Sequence, residues 1–527
     1  MENILTNKLK RNNLASIYYV IIILSIFPLV FHDYYFDMLI FKYKFYYVVT
    51  LLYIGFVLVN NLIEVLFNKK GKISIKNIFM KLTIPELSIL FFMFIAIIST
   101  MQSDFFYESF WGNEGRYTGC FTLILYGTSV LLIIRYMHFK NWILYLFLFT
   151  GFLACCFGIT DYFKLDILGF KLNIEPTQYN MFMSTIGNVN TYTSYVALIM
   201  SVSTVMFSAE KIRWKMILYF WVMVSSFFAI IMGLSDNSYL SLLTLFGLLP
   251  FYLFKTKTGL RRYLLIVTSF LGVIYTIINI NKAIPDKVLA MQGILDHLPV
   301  NKLKILLIFM IIVTATAYIV KYLFKSKKEN LRFIWKFIWL GLLVLIICLL
   351  LFMLYDVNIE MNLDRYGPLK QYLLFNDDWG THRGFNWRIG LENYNRFSLI
   401  HKIFGYGPDT YGILTHFNDL KEMSEKYNET YDSVHNEYLQ YFITMGPLSL
   451  ISYLLFLGSS LSCLIKKTKE NIYITTILFA ILCYSVQAIV NISVPIVSPI
   501  MFVLLACGLA KNEDYSTEYI INKSIDN

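Results

Sequence analysis

The sequence is short of charge. Only 15% of its 527 residues are Asp, Glu, Lys or Arg and 57% are hydrophobic, whereas ordinary soluble domains carry about 25% charge. That deficit excludes a soluble enzyme and a disordered chain. Cysteine is missing where it would be informative: Cys120, Cys155, Cys156, Cys348, Cys463, Cys483 and Cys507 all fall in or at the ends of apolar runs. A disulfide framework and a thiolate metal site are therefore excluded. Histidine is sparse too, with His382, His401, His416 and His435 set 15–19 residues apart and no close pair of the kind a metal site uses. There is no internal repeat and no low-complexity tract. The basic start MENILTNKLKRNN resembles a signal-peptide n-region, but FPLVFHDYYF lacks a small-residue cleavage site, so the first apolar run reads as an uncleaved anchor.

What the chain has in abundance is apolar runs long enough to span a bilayer. They fall at 14–32, 45–67, 82–100, 118–135, 142–160, 189–208, 216–234, 239–254, 263–281, 303–324, 337–355, 437–464, 472–490 and 495–510. These runs predict an all-α polytopic membrane protein of about fourteen (12–14) transmembrane helices, and the 39 Tyr and 45 Phe fit rings that anchor helices at the interface. The net charge of +11 has a pattern: 28 Lys and Arg lie in alternate loops and the termini, 9 in the opposite short loops and 8 in segment 356–436. The positive-inside rule then puts both termini in the cytoplasm and 356–436 outside. The basic balance is a topology signal, with membrane lipids as the partner and no nucleic acid. The expected domains are N-terminal helices over 1–355, a large extracellular loop over 356–436, C-terminal helices over 437–510 and a cytoplasmic tail over 511–527.

Polarity on the outer side is concentrated in three stretches: 101–119 (MQSDFFYESFWGNEGRYTG), 161–191 ending in GNVNT, and the 81-residue segment 356–436, too long for a mere connector. Within the last, THRGFNWRIGLENYNRF places Phe385, Ile389, Leu391 and Tyr394 at helical spacings, and Gly405 and Gly407 break the pattern before Pro408. At its end, NETYDSVHNEYLQYFITMGPLSL, Asp432 or Ser433 is expected to cap a helix with His435 in its first turn. A helix N-terminus disfavours the imidazolium, leaving a neutral ring able to take a proton from a hydroxyl. An exposed loop histidine is the alternative. Arg383 and Trp387 are four apart and share a helix face, with Arg388 beside them, and Arg116 is the only basic residue of 101–119. Planar guanidinium forks suit a diphosphate. Snorkelling to lipid phosphates would account for Arg116 on its own. The pairs Asp377–Asp378 and Asp33–Asp37 have the local look of a divalent-ion site, though solvated turns explain them as well. Asp236 and Asn237, in LSDNSYLSLL, either line a polar cavity or form a surface hairpin turn. The run Gly187-Asn188-Val189-Asn190 reads equally as a helix-capping turn.

Taken in order, WGNEGRYTG, GNVNTYTSY, HRGFNWRIGLENY with IFGYGPDTYG, and SVHNEYLQYFITMGPLSL resemble the O-antigen ligase and Wzy-type polymerase family. Members show a G-N-x-N stretch, an R-G-x-x-W segment leading to G-x-G-P-D-T-[FY], and a closing H-N-x-Y-L-Q; the last two together carry the specificity. The resemblance implies a glycosyltransferase C-like, inverting, metal-independent membrane glycosyltransferase that needs no cofactor. It would take an undecaprenyl-diphosphate-linked glycan as donor at the outer face of the cytoplasmic membrane and transfer it to a glycan or lipid-linked acceptor. By the same resemblance His435 activates the acceptor hydroxyl, Arg383 lies in the loop that holds the donor diphosphate, and Arg116 falls on a motif shared by many relatives. Arg388, Trp387, Asn188, Asn190, Asn436 and Tyr438, on or beside these motifs, are further substrate-binding candidates, and flippase and chain-length regulator proteins are the expected partners. One departure stands out: members often read S-R-[GS] after helix seven, where this chain has Ser235-Asp236-Asn237-Ser238. Free use of Ile, Asn, Lys and Tyr, as in AT-rich genomes of many Gram-positive bacteria, favours polymerising a capsular or wall polysaccharide over ligation to a lipopolysaccharide core.

Three rival readings make different demands. A lipid-linked oligosaccharide flippase or other transporter predicts related halves and charges deep in helices, where the chain has only Glu64, Glu86 and Asp161 as candidates. A metal-dependent glycosyltransferase would use Asp33 and Asp37. A non-catalytic partner of polysaccharide assembly would tolerate loss of His435.

Overall fold

The computed structural model describes residues 2–67, 82–172, 174–291, 293–324, 331, 333–468 and 471–512. Most of the tail 511–527 and the Glu64 side chain lie outside that description, as does segment 68–81, one of the basic alternate segments of the charge pattern. A helix stands at each of the fourteen apolar windows. Among the described residues ten are long and apolar enough to cross a membrane, and Cys120–Tyr136, Ser238–Leu253 and Ser498–Leu509 are shorter apolar helices. The first, Glu2–Ile21, carries its basic residues in its own N-terminal half and is not among the ten. Strand content among the described residues is confined to two-residue pairings. The chain is an all-α, multi-pass membrane protein.

Two compact units divide the chain, one built from 1–151, 389–481 and 491–527, the other from 152–388 and 482–490. The segment 356–436 therefore contributes to both, 356–388 to one and 389–436 to the other. It is largely helical, with Lys370–Leu373, Trp379–Arg396, Leu399–Phe404 and Tyr411–Tyr427 in order.

In the first unit, helix Glu437–Lys467 packs along Ile84–Met101, and Ser498–Leu509 packs on Cys120–Tyr136. Thr83 and Glu86 form a capping box at the start of Ile84–Met101: the Thr83 N–H and hydroxyl each donate to Glu86 Oε2 at 2.7 Å. The Glu86 carboxylate thus satisfies an end of its own helix, which corrects the sequence impression of an intramembrane charge. Lys42, which hydropathy passes over, is fully buried and donates to the carbonyls of Phe27 and Pro28 at 3.1 and 2.9 Å, so its amino group satisfies carbonyls at a helix C-terminus.

The long helix Glu437–Lys467 bends at Gly446, where φ is +77°, just before Pro447. Proline removes a backbone donor, and the bend brings the Gly446 backbone against the Ile403 carbonyl so closely that a Cβ would collide with it. Gly405, also at positive φ, approaches Thr444 in the same way. These two glycines let the turn after Phe404 pack directly on the kinked helix.

In the second unit, Val189–Ala209 is almost wholly buried and packs against Arg213–Met232, while Lys257–Ala283 packs on Val300–Phe324. Ile334–Asn358 buries none of its apolar window against protein, so lipid is the surrounding that satisfies it.

Candidate functional site

WGNEGRYTG, IFGYGPDTYG and SVHNEYLQYFITMGPLSL converge in the first unit. The turn Gly405-Tyr406-Gly407-Pro408-Asp409 is fastened from the end of Ile84–Met101: Ser99 Oγ donates to the Phe404 carbonyl at 2.5 Å, and Gln102 and Ser103 donate to the carbonyls of Gly405 and Tyr406. The Asp409 carboxylate in turn accepts the N–H groups of Asn113 and Thr118 at 2.8 and 3.0 Å. It holds the WGNEGRYTG loop against the turn by that loop's own backbone. Burial pushes the Asp409 carboxyl up to about 7, against the backbone bonds and Arg116, which pull it down.

That shift has a consequence for stability. A folded-state value of about 7 against an ordinary 3.8 means that the folded protein keeps a proton which the unfolded chain releases across that interval. Stability should therefore fall as pH rises from about 4 to about 7 and level off above it. Asp409→Asn is neutral at every pH and should flatten that part of the slope, read as the difference between variant and wild type in thermal unfolding of the detergent-solubilised protein at pH 5 and pH 8.

Arg116 lies in the fastened loop, and its Nη2 donates to Asp432 Oδ1 at 2.6 Å. Its fork thus serves the His435 segment, a role that neither the diphosphate reading nor lipid snorkelling anticipates. Helix Glu437–Lys467 does not begin at Asp432 or Ser433 as expected. Asn436 is its N-cap, accepting from the N–H groups of Tyr438 and Leu439 at 3.1 and 3.0 Å. His435 consequently sits one residue before the cap, at φ +53°, with its N–H on Ser433 Oγ at 3.1 Å. The reason is local: a carboxamide is as good a cap as a carboxylate, and the left-handed residue turns the chain sharply into the helix. His435 is half-buried and stands off the helix rather than within its first turn. Asn436 has a structural duty as cap, and Tyr438 packs its ring on Tyr453. Glu437, which the sequence reading missed, is buried and accepts the Tyr453 hydroxyl at 2.5 Å. The acidic pair at the other end of the chain is also engaged, with Asp37 accepting from His32 Nδ1 and the Asp33 N–H, both at 2.8 Å.

The second unit gathers the remaining candidates. Asn188 caps Val189–Ala209 by accepting the Asn190 N–H at 2.9 Å. Asn190 Oδ1 accepts the Ser235 hydroxyl at 2.6 Å, and Thr193 donates to Asn237 Oδ1 at 2.7 Å. The GNVNT stretch and the LSDNS turn are therefore one hydrogen-bonded structure, and Asn237 is buried in it. Asp161, buried at the end of its helix, accepts the Ser184 N–H at 2.6 Å.

Next to this turn is a pocket of about 410 Å³ lined by Asp236, Tyr239, Tyr372, Trp379, Arg383 and Val490 among others. Gly380, Thr381 and His382 all have positive φ, a left-handed run that redirects the chain before the regular part of Trp379–Arg396. It aims Arg383 so that Nε donates to the Val490 carbonyl at 2.9 Å and Nη1 to the Gly380 carbonyl. Burial lowers the Arg383 pKa and the carboxylate of Asp236 raises it again; a guanidinium stays charged throughout. Asp236, at the position where the family often has arginine, accepts the Tyr372 hydroxyl at 3.3 Å. Its pKa is raised by the surrounding protein and drawn back by Tyr372 and Arg383.

Trp387 does not point with Arg383 into this pocket wall. It packs with Trp379 and Phe375, ring centroids 5.3 and 5.8 Å away, in an aromatic cluster that steadies the segment. Arg388 is held by Asp377 in a two-pronged ion pair at 3.1 and 3.0 Å and lies over the Phe385 ring. That pairing also assigns Asp377, leaving Asp378 on the pocket. Of the residues expected to bind substrate, Arg383 alone lines this pocket; Asp236 and Asn237, for which a polar cavity was one of two sequence readings, and Asp378 line it too, joined by Tyr239 and Tyr372, which no spacing rule singles out.

Comparison with curated proteins found no match. Residues 303–454 match the family model described as O-antigen ligase, a stretch that holds Arg383, Trp387, Arg388, His435, Asn436 and Tyr438 and leaves Arg116, Asn188 and Asn190 outside it. Over that stretch this multi-pass membrane chain is similar to the O-antigen ligase family.

Proposed function

We propose that the chain is a glycosyltransferase that elongates or transfers a saccharide carried on undecaprenyl diphosphate at the outer face of the cytoplasmic membrane. The observation that carries this reading is the Arg383 guanidinium, anchored by two backbone carbonyls on the wall of an aromatic-lined pocket. A fixed guanidinium in a partly dehydrated pocket suits a diphosphate on which charge builds as it departs.

The chemistry asks for two services. An acceptor hydroxyl oxygen attacks the anomeric carbon as the bond from that carbon to the phosphate oxygen breaks, with inversion. The hydroxyl proton passes to the His435 imidazole, and the electron pair leaves on undecaprenyl diphosphate, where Arg383 meets the charge. A charge already met by guanidinium has no chemical need of a divalent ion. Asn188, Asn190 and Asn436 support the reading as fixed frameworks for the turns that carry Asp236 and His435, and Arg388 and Trp387 as supports of the Arg383 segment. Polymerisation remains the favoured branch, with a flippase supplying the donor and a chain-length regulator acting on the product.

Reconstitution tests this directly. The purified chain in liposomes, given lipid-linked saccharide extracted from its own host, should convert it to longer glycans at an undiminished rate in EDTA. Absence of any glycan product, or a requirement for added magnesium, would overturn the reading.

A further inference from the structure

A second, smaller pocket lies in the unit that carries His435. It has a volume of about 280 Å³, and its lining includes Asn113, His416, Phe417, Thr430, Tyr431 and Asp432. Helix Tyr411–Tyr427 supplies one wall, the extended chain before His435 another, and the WGNEGRYTG loop the third. Gly412 makes the packing possible, since a Cβ there would press on the Asp432 backbone.

The chemistry of the lining is mixed in a specific way. Phe417 is 72% exposed although it is a large apolar side chain, and Phe105 stacks on it with centroids 5.9 Å apart, fixing the ring while much of it stays open. An exposed, immobilised ring costs stability unless something covers it. Around it stand a carboxamide, an imidazole, a hydroxyl and a carboxylate. Asp432 commits Oδ1 to Arg116, and a carboxylate has acceptor capacity beyond one bond. A flat apolar face ringed by directional polar groups complements a pyranose ring, which offers C–H faces and equatorial hydroxyls, better than it complements a lipid chain or a phosphate.

We infer that this pocket binds a sugar of the acceptor saccharide, and that Arg116 and Asp432 position its wall. The inference rests on the proposed glycosyl transfer for the word acceptor, and on the pocket alone for the word sugar. Asp432 precedes His435 by three residues of non-helical chain, a span of at most about 11 Å, so a saccharide seated here presents neighbouring hydroxyls within the reach of the histidine segment.

The test reads binding and not turnover. The purified full chain in lipid nanodiscs is titrated with the reducing oligosaccharide that mild acid releases from the host's lipid-linked saccharide. Phe417→Ala should weaken binding about ten-fold, the equivalent of ~1.4 kcal/mol, Phe417→Trp should retain it, and His416→Ala should weaken it less. Both positions are exposed, so folding is not at stake. Equal binding by Phe417→Ala and wild type, or no saturable binding by wild type, overturns the pocket assignment. Transfer by a chain that fails to bind the oligosaccharide would leave the proposed function standing and remove only this site. Saturable binding lost in Phe417→Ala without transfer by wild type would do the reverse.

Discussion

His435→Asn should lower glycosyl transfer by about 10²–10⁴-fold, the range over which a positioned general base contributes. Asparagine is the informative replacement because residue 435 has a positive φ, which asparagine tolerates better than alanine does. Asn436 still caps the following helix and Ser433 still receives the residue 435 N–H, so the fold should survive. In the native host, at unchanged membrane abundance, long polymer should collapse to single lipid-linked repeats if the chain polymerises. If it ligates, full-length glycan should instead accumulate on the lipid carrier. Unchanged glycan at normal abundance would remove the histidine from the mechanism and bring the scaffold and transport readings forward.

Arg383→Ala should reduce transfer by about 10²–10³-fold, as expected when a fixed donor to developing charge is lost from a preorganised site. The loss should appear partly as weaker binding of undecaprenyl diphosphate. Arg383→Lys keeps the charge and should recover little, because an ammonium cannot hold the Val490 and Gly380 carbonyls and still present a planar fork to phosphate. Asp236→Asn should move the other way. The Asp236 carboxylate acts on Arg383 through its charge and would compete with a bound diphosphate, so neutralising it should tighten diphosphate binding several-fold. Binding of undecaprenyl diphosphate to the three variants checks the set. Equal affinity in wild type and Arg383→Ala would show that the diphosphate is held elsewhere.

Much of the fold was legible in the sequence because hydrocarbon is an unforgiving solvent. A segment that crosses it must be helical and apolar throughout, and every one of the fourteen windows holds a helix. Charge was harder to read. Lys42 was overlooked and Glu86 misjudged because their partners are backbone carbonyls and a helix cap, which hydropathy does not record. The division of segment 356–436 between two units, inside the regular part of helix Trp379–Arg396, leaves no mark in composition.

For the site, residue type and motif order made Arg383 and His435 candidates, since few side chains can hold a diphosphate or take a proton from a hydroxyl, and their roles belong to the proposal above. Which neighbours each of them has was decided by tertiary structure. Asp409 reaches across nearly three hundred residues to two N–H groups, Arg116 is claimed by Asp432, and Arg388 by Asp377. Asn436 rather than Asp432 begins the helix, which moves His435 off the helix and into a left-handed turn. The sequence by itself determined where the apolar helices lie and the chemistry available, because solvent and functional group act on each residue locally. The partners of those groups depend on how distant segments close on one another through glycine contacts and backbone hydrogen bonds, and only the folded chain decided them.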